Sequence, residues 1–210
     1  MIKGLKLEQV DFKKEVDGIV ENQKGTYETE EYVKPVKFPR LPKRCNSFKP
    51  KDSKSKEWTK VYDGLRDKVL DGCLVVVCGS RGTGKTQLGV CLVKRCCYAG
   101  YSALYEKSMD IFLRIRTAKD IQGDTEKTAI EEYVKPYLLV IDAHEVRGGT
   151  PFEDRLLNHI IDKRYDSEKS TIIITNDKQD DLPDILGCSI FDRMIETGGI
   201  IEMKWNSLRG

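Results

Sequence analysis

The sequence predicts an α/β fold, a parallel five-stranded sheet flanked by helices, and three features of its 210 residues predict it. From residue 57 onward, short apolar runs alternate with stretches of helical periodicity, the pattern of strands joined by crossover helices. The first of those runs, 73–78, breaks at once into Gly79, Ser80, Arg81, Gly82, Thr83, Gly84, Lys85 and Thr86. Glycines at that spacing let a backbone wrap a polyphosphate with its N–H groups turned inward. A later run, Leu138–Asp142, stays apolar until it ends in a carboxylate.

Ahead of the sheet, residues 1–33 mix charge with scattered apolar positions, among them Phe12, Val16 and Val20. A short helix or hairpin around 12–20 fits them, and so small an arm must dock on the body or on a partner. Lys34 to Lys56 holds nine Lys/Arg against Asp52 alone, with Pro35, Pro39, Pro42 and Pro50. That composition reads as an extended, poorly packed linker, either merely solvated or touching a phosphate backbone. Residues 1–56 are therefore an arm with a basic Pro/Lys-rich linker, a candidate partner-binding segment, and 57–210 are one domain.

Trp58, Val61, Tyr62, Leu65 and Val69 recur at helical spacing over 57–70, leading into strand 73–78. The helix after the glycine loop spans 85–97, with Leu88, Cys91 and Leu92 on one face. Strand 102–105 follows, then a helix at 109–119 whose apolar face is Met109, Phe112 and Leu113 and whose other edge is Arg114, Arg116 and Lys119. A helical stretch at 125–134 precedes strand 137–141. The helix at 153–165 turns Leu156, Leu157, Ile160 and Ile161 inward, and strand 171–175 ends at Asn176. Short elements at 180–186 and 190–195 lead to a last strand at 199–205.

Seven cysteines without any Cys-x-x-Cys spacing sit mostly in apolar strand or helix patterns, which suits reduced core thiols and a cytoplasmic setting. Two histidines without a cluster argue against a His/Cys metal site, and no stretch has the length of a membrane span. The net charge of +2 names no partner.

The glycine loop has the spacing of a phosphate-binding P-loop, so the fold class sharpens to a P-loop NTPase binding ATP with Mg²⁺. Residues 79–87 form the cradle, from Gly79 through Gln87, with Lys85 set against the β/γ-phosphates and Thr86 offering a hydroxyl to Mg²⁺. Asp142, at a strand's carboxyl end, is the Walker B partner that holds the metal opposite Thr86. Hydrolytic members of this class follow that Asp with a Glu that orients the attacking water, and here Ala143 stands instead, which predicts weak turnover. Glu145 reaches that water only if the strand end bends. Asn176 belongs beside the γ-phosphate, the position called sensor 1, if its strand lies next to the Walker B strand.

These residues resemble the DnaC-type bacterial replicative helicase loaders, with the related IstB transposition ATPases, within the AAA+ class. The resemblance covers about 58–209 and rests on the P-loop, 138–142, 158–165, Thr175 with Asn176, Asp192-Arg193-Met194, and Trp205, Ser207 and Arg209 in a Trp-x-Ser-x-Arg pattern. It implies a fold without the C-terminal helical lid of ordinary AAA+ proteins, Arg193 as an arginine finger acting on a neighbouring subunit, and Arg209 as the sensor 2 arginine. A finger used in trans implies an ATP-dependent homo-oligomer or filament. The resemblance also implies a replicative DNA helicase as partner and single-stranded DNA near Arg114, Arg116 and Lys119, with Phe112 assigned to the core. Residues 1–56 show no zinc-site spacing. Two other readings stay open: a transposition helper of the IstB type, and a non-hydrolysing P-loop protein that inhibits helicase loading.

Overall fold

Residues 39–146 and 148–208 are described by the structure, a computed structural model. Five strands form one all-parallel sheet: β1 (Leu74–Gly79), β2 (Ala103–Lys107), β3 (Leu138–Asp142), β4 (Ser170–Ile174) and β5 (Gly199–Met203), in the spatial order β2-β3-β4-β1-β5. β1, β3 and β4 are buried at nearly every position because both faces are covered, whereas the edge strands β2 and β5 are only partly buried. The helices are α1 (Lys43–Asn46), α2 (Lys56–Arg66), α3 (Lys85–Tyr98), α4 (Ser108–Arg116), α5 (Glu126–Val134), α6 (Pro151–Asp166), α7 (Leu182–Leu186) and α8 (Cys188–Thr197).

Strand alternation divides the core in two. Leu74, Val76, Cys78, Leu139, Ile141 and Ile173 face α4, α5, α6, α7 and α8. Val75, Val77, Leu138, Val140, Ile172 and Ile174 face α2 and α3. Thr125 and Thr150 cap α5 and α6 through their hydroxyls, and Ser55 caps α2 by accepting from the N–H of Trp58 at 3.1 Å.

Every expected strand and helix from 57 onward is present, with ends moved by a few residues. Two expectations are corrected. On α4 the buried face is Ile111, Phe112 and Ile115, while Met109 and Leu113 are exposed. The reason is which ridge meets the core: the helix packs its Ile111/Ile115 ridge with Phe112 into it, which turns Met109 and Leu113 to solvent. The described part of the basic segment is not an extended linker either. Leu41, Cys45 and Phe48 pack against the α2–α3 side of the core, and Lys94 donates to Asn46 O and, at 3.4 Å, to Phe48 O. Three apolar side chains are enough to dock a chain whose charges stay in solvent. The arm around 12–20 and Arg209 lie outside the described residues.

Candidate functional site

The sheet directs the carboxyl ends of β1, β3 and β4 to one edge, and the candidate residues gather there. β1 ends at Gly79, and Gly84, at a φ of 93°, begins α3. A Cβ on Gly84 would lie 2.8 Å from Trp58 Nε1, and one on Gly82 would lie 2.2 Å from Ser207 Oγ, so a side chain at either would be strained at positive φ and would have to displace its neighbour. Lys85 is buried and folds back, donating to Gly79 O at 2.7 Å and Ser80 O at 2.8 Å. Thr83 also ties the loop together, its hydroxyl donating to Ser80 O at 3.0 Å. Arg81 is exposed, and Gln87 opens the helix half-buried.

Thr86 Oγ1 donates to Asp142 Oδ2 at 2.9 Å, which joins the P-loop to the end of β3. Tyr105, on β2, donates its buried hydroxyl to the same oxygen, and the N–H of Ala143 donates to Oδ1 at 2.8 Å. Burial, with the Asp142 carboxylate beside it, pushes the Tyr105 hydroxyl well above the usual tyrosine range, so it remains a donor. Thr86 and Asp142 present two hard oxygen donors close together, a donor set that fits Mg²⁺ completed by phosphate oxygens and water. Among the described residues no three His, Cys, Asp or Glu side chains cluster to hold a metal by themselves.

Past Asp142 the strand end does bend. Ala143 has a φ of 55°, and the chain enters a 3₁₀ turn over His144–Val146. The turn swings Glu145 back onto β4's exit: its carboxylate accepts from the side-chain amide of Asn176, from Asn176 N at 3.3 Å and from Thr175 Oγ1 at 3.4 Å. β4 pairs with β3, so Asn176 leaves a strand that lies beside the one ending in Asp142. A carboxylate and a side-chain amide thus share the edge where the Thr86–Asp142 pair ends.

The remaining candidates lie elsewhere. Arg193, on α8, pairs with Asp162 Oδ1 at 2.7 Å, donates to Ser189 Oγ, and sits 5.3 Å above the Tyr165 ring. Tyr165 in turn donates to Glu196 at 2.6 Å. Arg114 is engaged by Asp124 at 2.6 Å and by Glu132. Arg116 is 3.6 Å from Glu153 and more than half exposed, Lys119 is exposed, and Phe112 is core. Sequence reasoning passed over Tyr105 and Asp162, since a tyrosine closing a short strand and an aspartate within a helix carry no signal of their own. Among the described residues no helix is long and apolar enough to cross a membrane.

Residues 9–210 match the family described as IstB-like ATP binding protein, and the chain belongs to that family. The replicative helicase loader DnaC of Escherichia coli (strain K12) is 25% identical over 158 residues, which are 75% of this chain and 62% of the loader; the chain therefore spans about three-fifths of that relative's length. An ATP-binding protein assigned to insertion sequence IS5376 of Geobacillus stearothermophilus is 28% identical over 141 residues, 64% of this chain and 55% of that protein. Among solved structures, that of the DnaC helicase loader superposes with a TM-score of 0.63 at 23% identity, covering 78% of this chain and 100% of that one. The fold is the P-loop AAA+ fold.

Proposed function

We propose that this member of the IstB-like ATP binding protein family binds Mg·ATP in the loop 79–87 and serves as a loader, placing or remodelling a replicative ring helicase on single-stranded DNA. The observation that carries the reading is the Thr86–Asp142 and Asn176–Glu145 pairing at one sheet edge, in a chain similar over 158 residues to a replicative helicase loader. Lys85 and the loop amides bind the phosphates, while Thr86 and Asp142 hold the metal, which supplies positive charge against the β/γ-phosphates. Glu145 takes the water-orienting role left open by Ala143, braced by Asn176, and turnover is slow because its carboxylate arrives by a detour. Arg193 completes the nucleotide site of a neighbouring subunit, for which its guanidinium must leave Asp162. Arg116 and Lys119 meet the DNA backbone in preference to Arg114, whose charge is already neutralised by two carboxylates.

The likeness to the IS5376 protein favours a second reading, a transposition helper that prefers duplex DNA. Affinity capture of the tagged chain from a bacterial lysate, with and without Mg·ATP and alongside Lys85→Ala, separates the two. A ring helicase retained by the wild type in ATP and lost from Lys85→Ala is the expected result. A transposase in its place, or no helicase in either nucleotide state, would overturn the loader reading.

A further inference from the structure

The chain has two tryptophans, and both meet the phosphate loop from opposite ends of the sequence. Trp58 is wholly buried and donates its indole N–H to Gly84 O at 3.0 Å, an oxygen that also accepts from Leu88 N at 2.9 Å in the first turn of α3. Trp205, just past β5, donates its indole N–H to Thr83 O at 3.0 Å. The backbone N–H of Leu208 adds a third bond, to Gly82 O at 2.8 Å. Three successive loop carbonyls are thus gripped from behind. In a trans peptide the C=O and the N–H of the next residue point in opposite directions. Fixing the carbonyls of Gly82, Thr83 and Gly84 therefore fixes the N–H groups of Thr83, Gly84 and Lys85 on the other side, where an anion would bind.

Packing alone does not require these donors. Trp58 stacks on Tyr62 at 5.7 Å between ring centroids and meets Phe48 edge-on at 5.3 Å, contacts that a phenylalanine would largely keep. We propose that Trp58 and Trp205 are positioning residues of the nucleotide site, whose indole N–H groups hold the loop amides in their phosphate-accepting orientation. Both tryptophans then sense whether the loop is filled. The proposal rests on the reading of this loop as an ATP site.

The test measures the affinity of a fluorescent ATP analogue with Mg²⁺ for the wild type, Trp58→Phe, Trp205→Phe and Lys85→Ala, together with thermal unfolding without nucleotide. Each tryptophan variant keeps a single indole, so its emission with and without Mg·ATP is a second readout. Loss of the donor predicts about tenfold weaker binding in Trp205→Phe and a smaller loss in Trp58→Phe, where Gly84 O keeps Leu88 N, with the remaining indole's emission shifting on nucleotide addition. Trp205→Phe is expected to melt within a few degrees of the wild type, and it decides the matter alone if Trp58→Phe does not fold. Wild-type affinity in Trp205→Phe, while Lys85→Ala has lost binding, overturns the positioning role and leaves the ATP reading intact. A wild type that binds no nucleotide removes the ATP reading and this proposal with it.

Discussion

A single residue, Ala143, decides what the end of β3 can do. Its φ of 55° costs about 1 kcal/mol for a residue with a Cβ, and the turn it makes is what carries Glu145 to Asn176. Removing the charge while keeping the shape is the direct test. Glu145→Gln is expected to leave Mg·ATP affinity within about twofold and to lower the hydrolysis rate by about 100-fold, the scale of a lost general base. A single-turnover ATPase assay beside an equilibrium binding curve reads both, and an unchanged rate would remove Glu145 from the chemistry. Of these contacts, the Asp142 and Asn176 placements were legible in the sequence because each ends an apolar strand. The Glu145 contact depended on a backbone turn at an alanine, which no residue preference announces.

Among the elements, the joint between α5, α6, β3 and β4 depends on one buried guanidinium. Arg164, on α6, is fully buried and donates to Tyr133 O and Pro136 O at 2.8 Å each, to Tyr137 O at 3.0 Å, to Ser170 O, and to Thr171 Oγ1 at 2.8 Å. The α5–β3 connection cannot pair those carbonyls in a ladder, so a planar fork of donors does it instead. Burial lowers the Arg164 pKa to about 9, leaving the group charged at neutral pH. Arg164→Met strands the carbonyls in the core and is expected to destabilise the fold by about 3 to 5 kcal/mol, read as a fall in urea midpoint. Arg164→Lys is expected to recover little, because a single ammonium cannot span acceptors on both sides of the joint. In the sequence Arg164 was one of a run of motif residues with nothing to mark it as buried, since an arginine on a helix is ordinarily solvated.

At the scale of the whole molecule most thiols are core residues: Cys73, Cys78, Cys91, Cys96 and Cys97 are buried, Cys45 is half-buried and Cys188 is exposed. Burial pushes the Cys91 and Cys96 thiols up to about 12, against about 8.5 in an unfolded chain. These raised values favour the folded state fully below about pH 8. Between about pH 8.5 and 12 the unfolded chain releases protons that the fold retains, so stability falls as pH rises, by up to about 1.4 kcal/mol per pH unit for each thiol. Urea midpoints at neutral pH and near pH 10 are expected to show that fall, with a shallower slope in Cys96→Ala; equal slopes would assign the alkaline loss to other groups. By itself the sequence determined the parallel α/β plan, the P-loop and the aspartate that ends β3, because apolar periodicity and glycine spacing are local properties of the chain. Only the tertiary structure decided that Tyr105 and Thr86 share one oxygen of Asp142, that Asp162 holds Arg193, and that Trp58 and Trp205 grip adjacent loop carbonyls. Those contacts join residues from dozens of positions to well over a hundred apart, and their partners are set by the strand order and by which helix face meets the sheet.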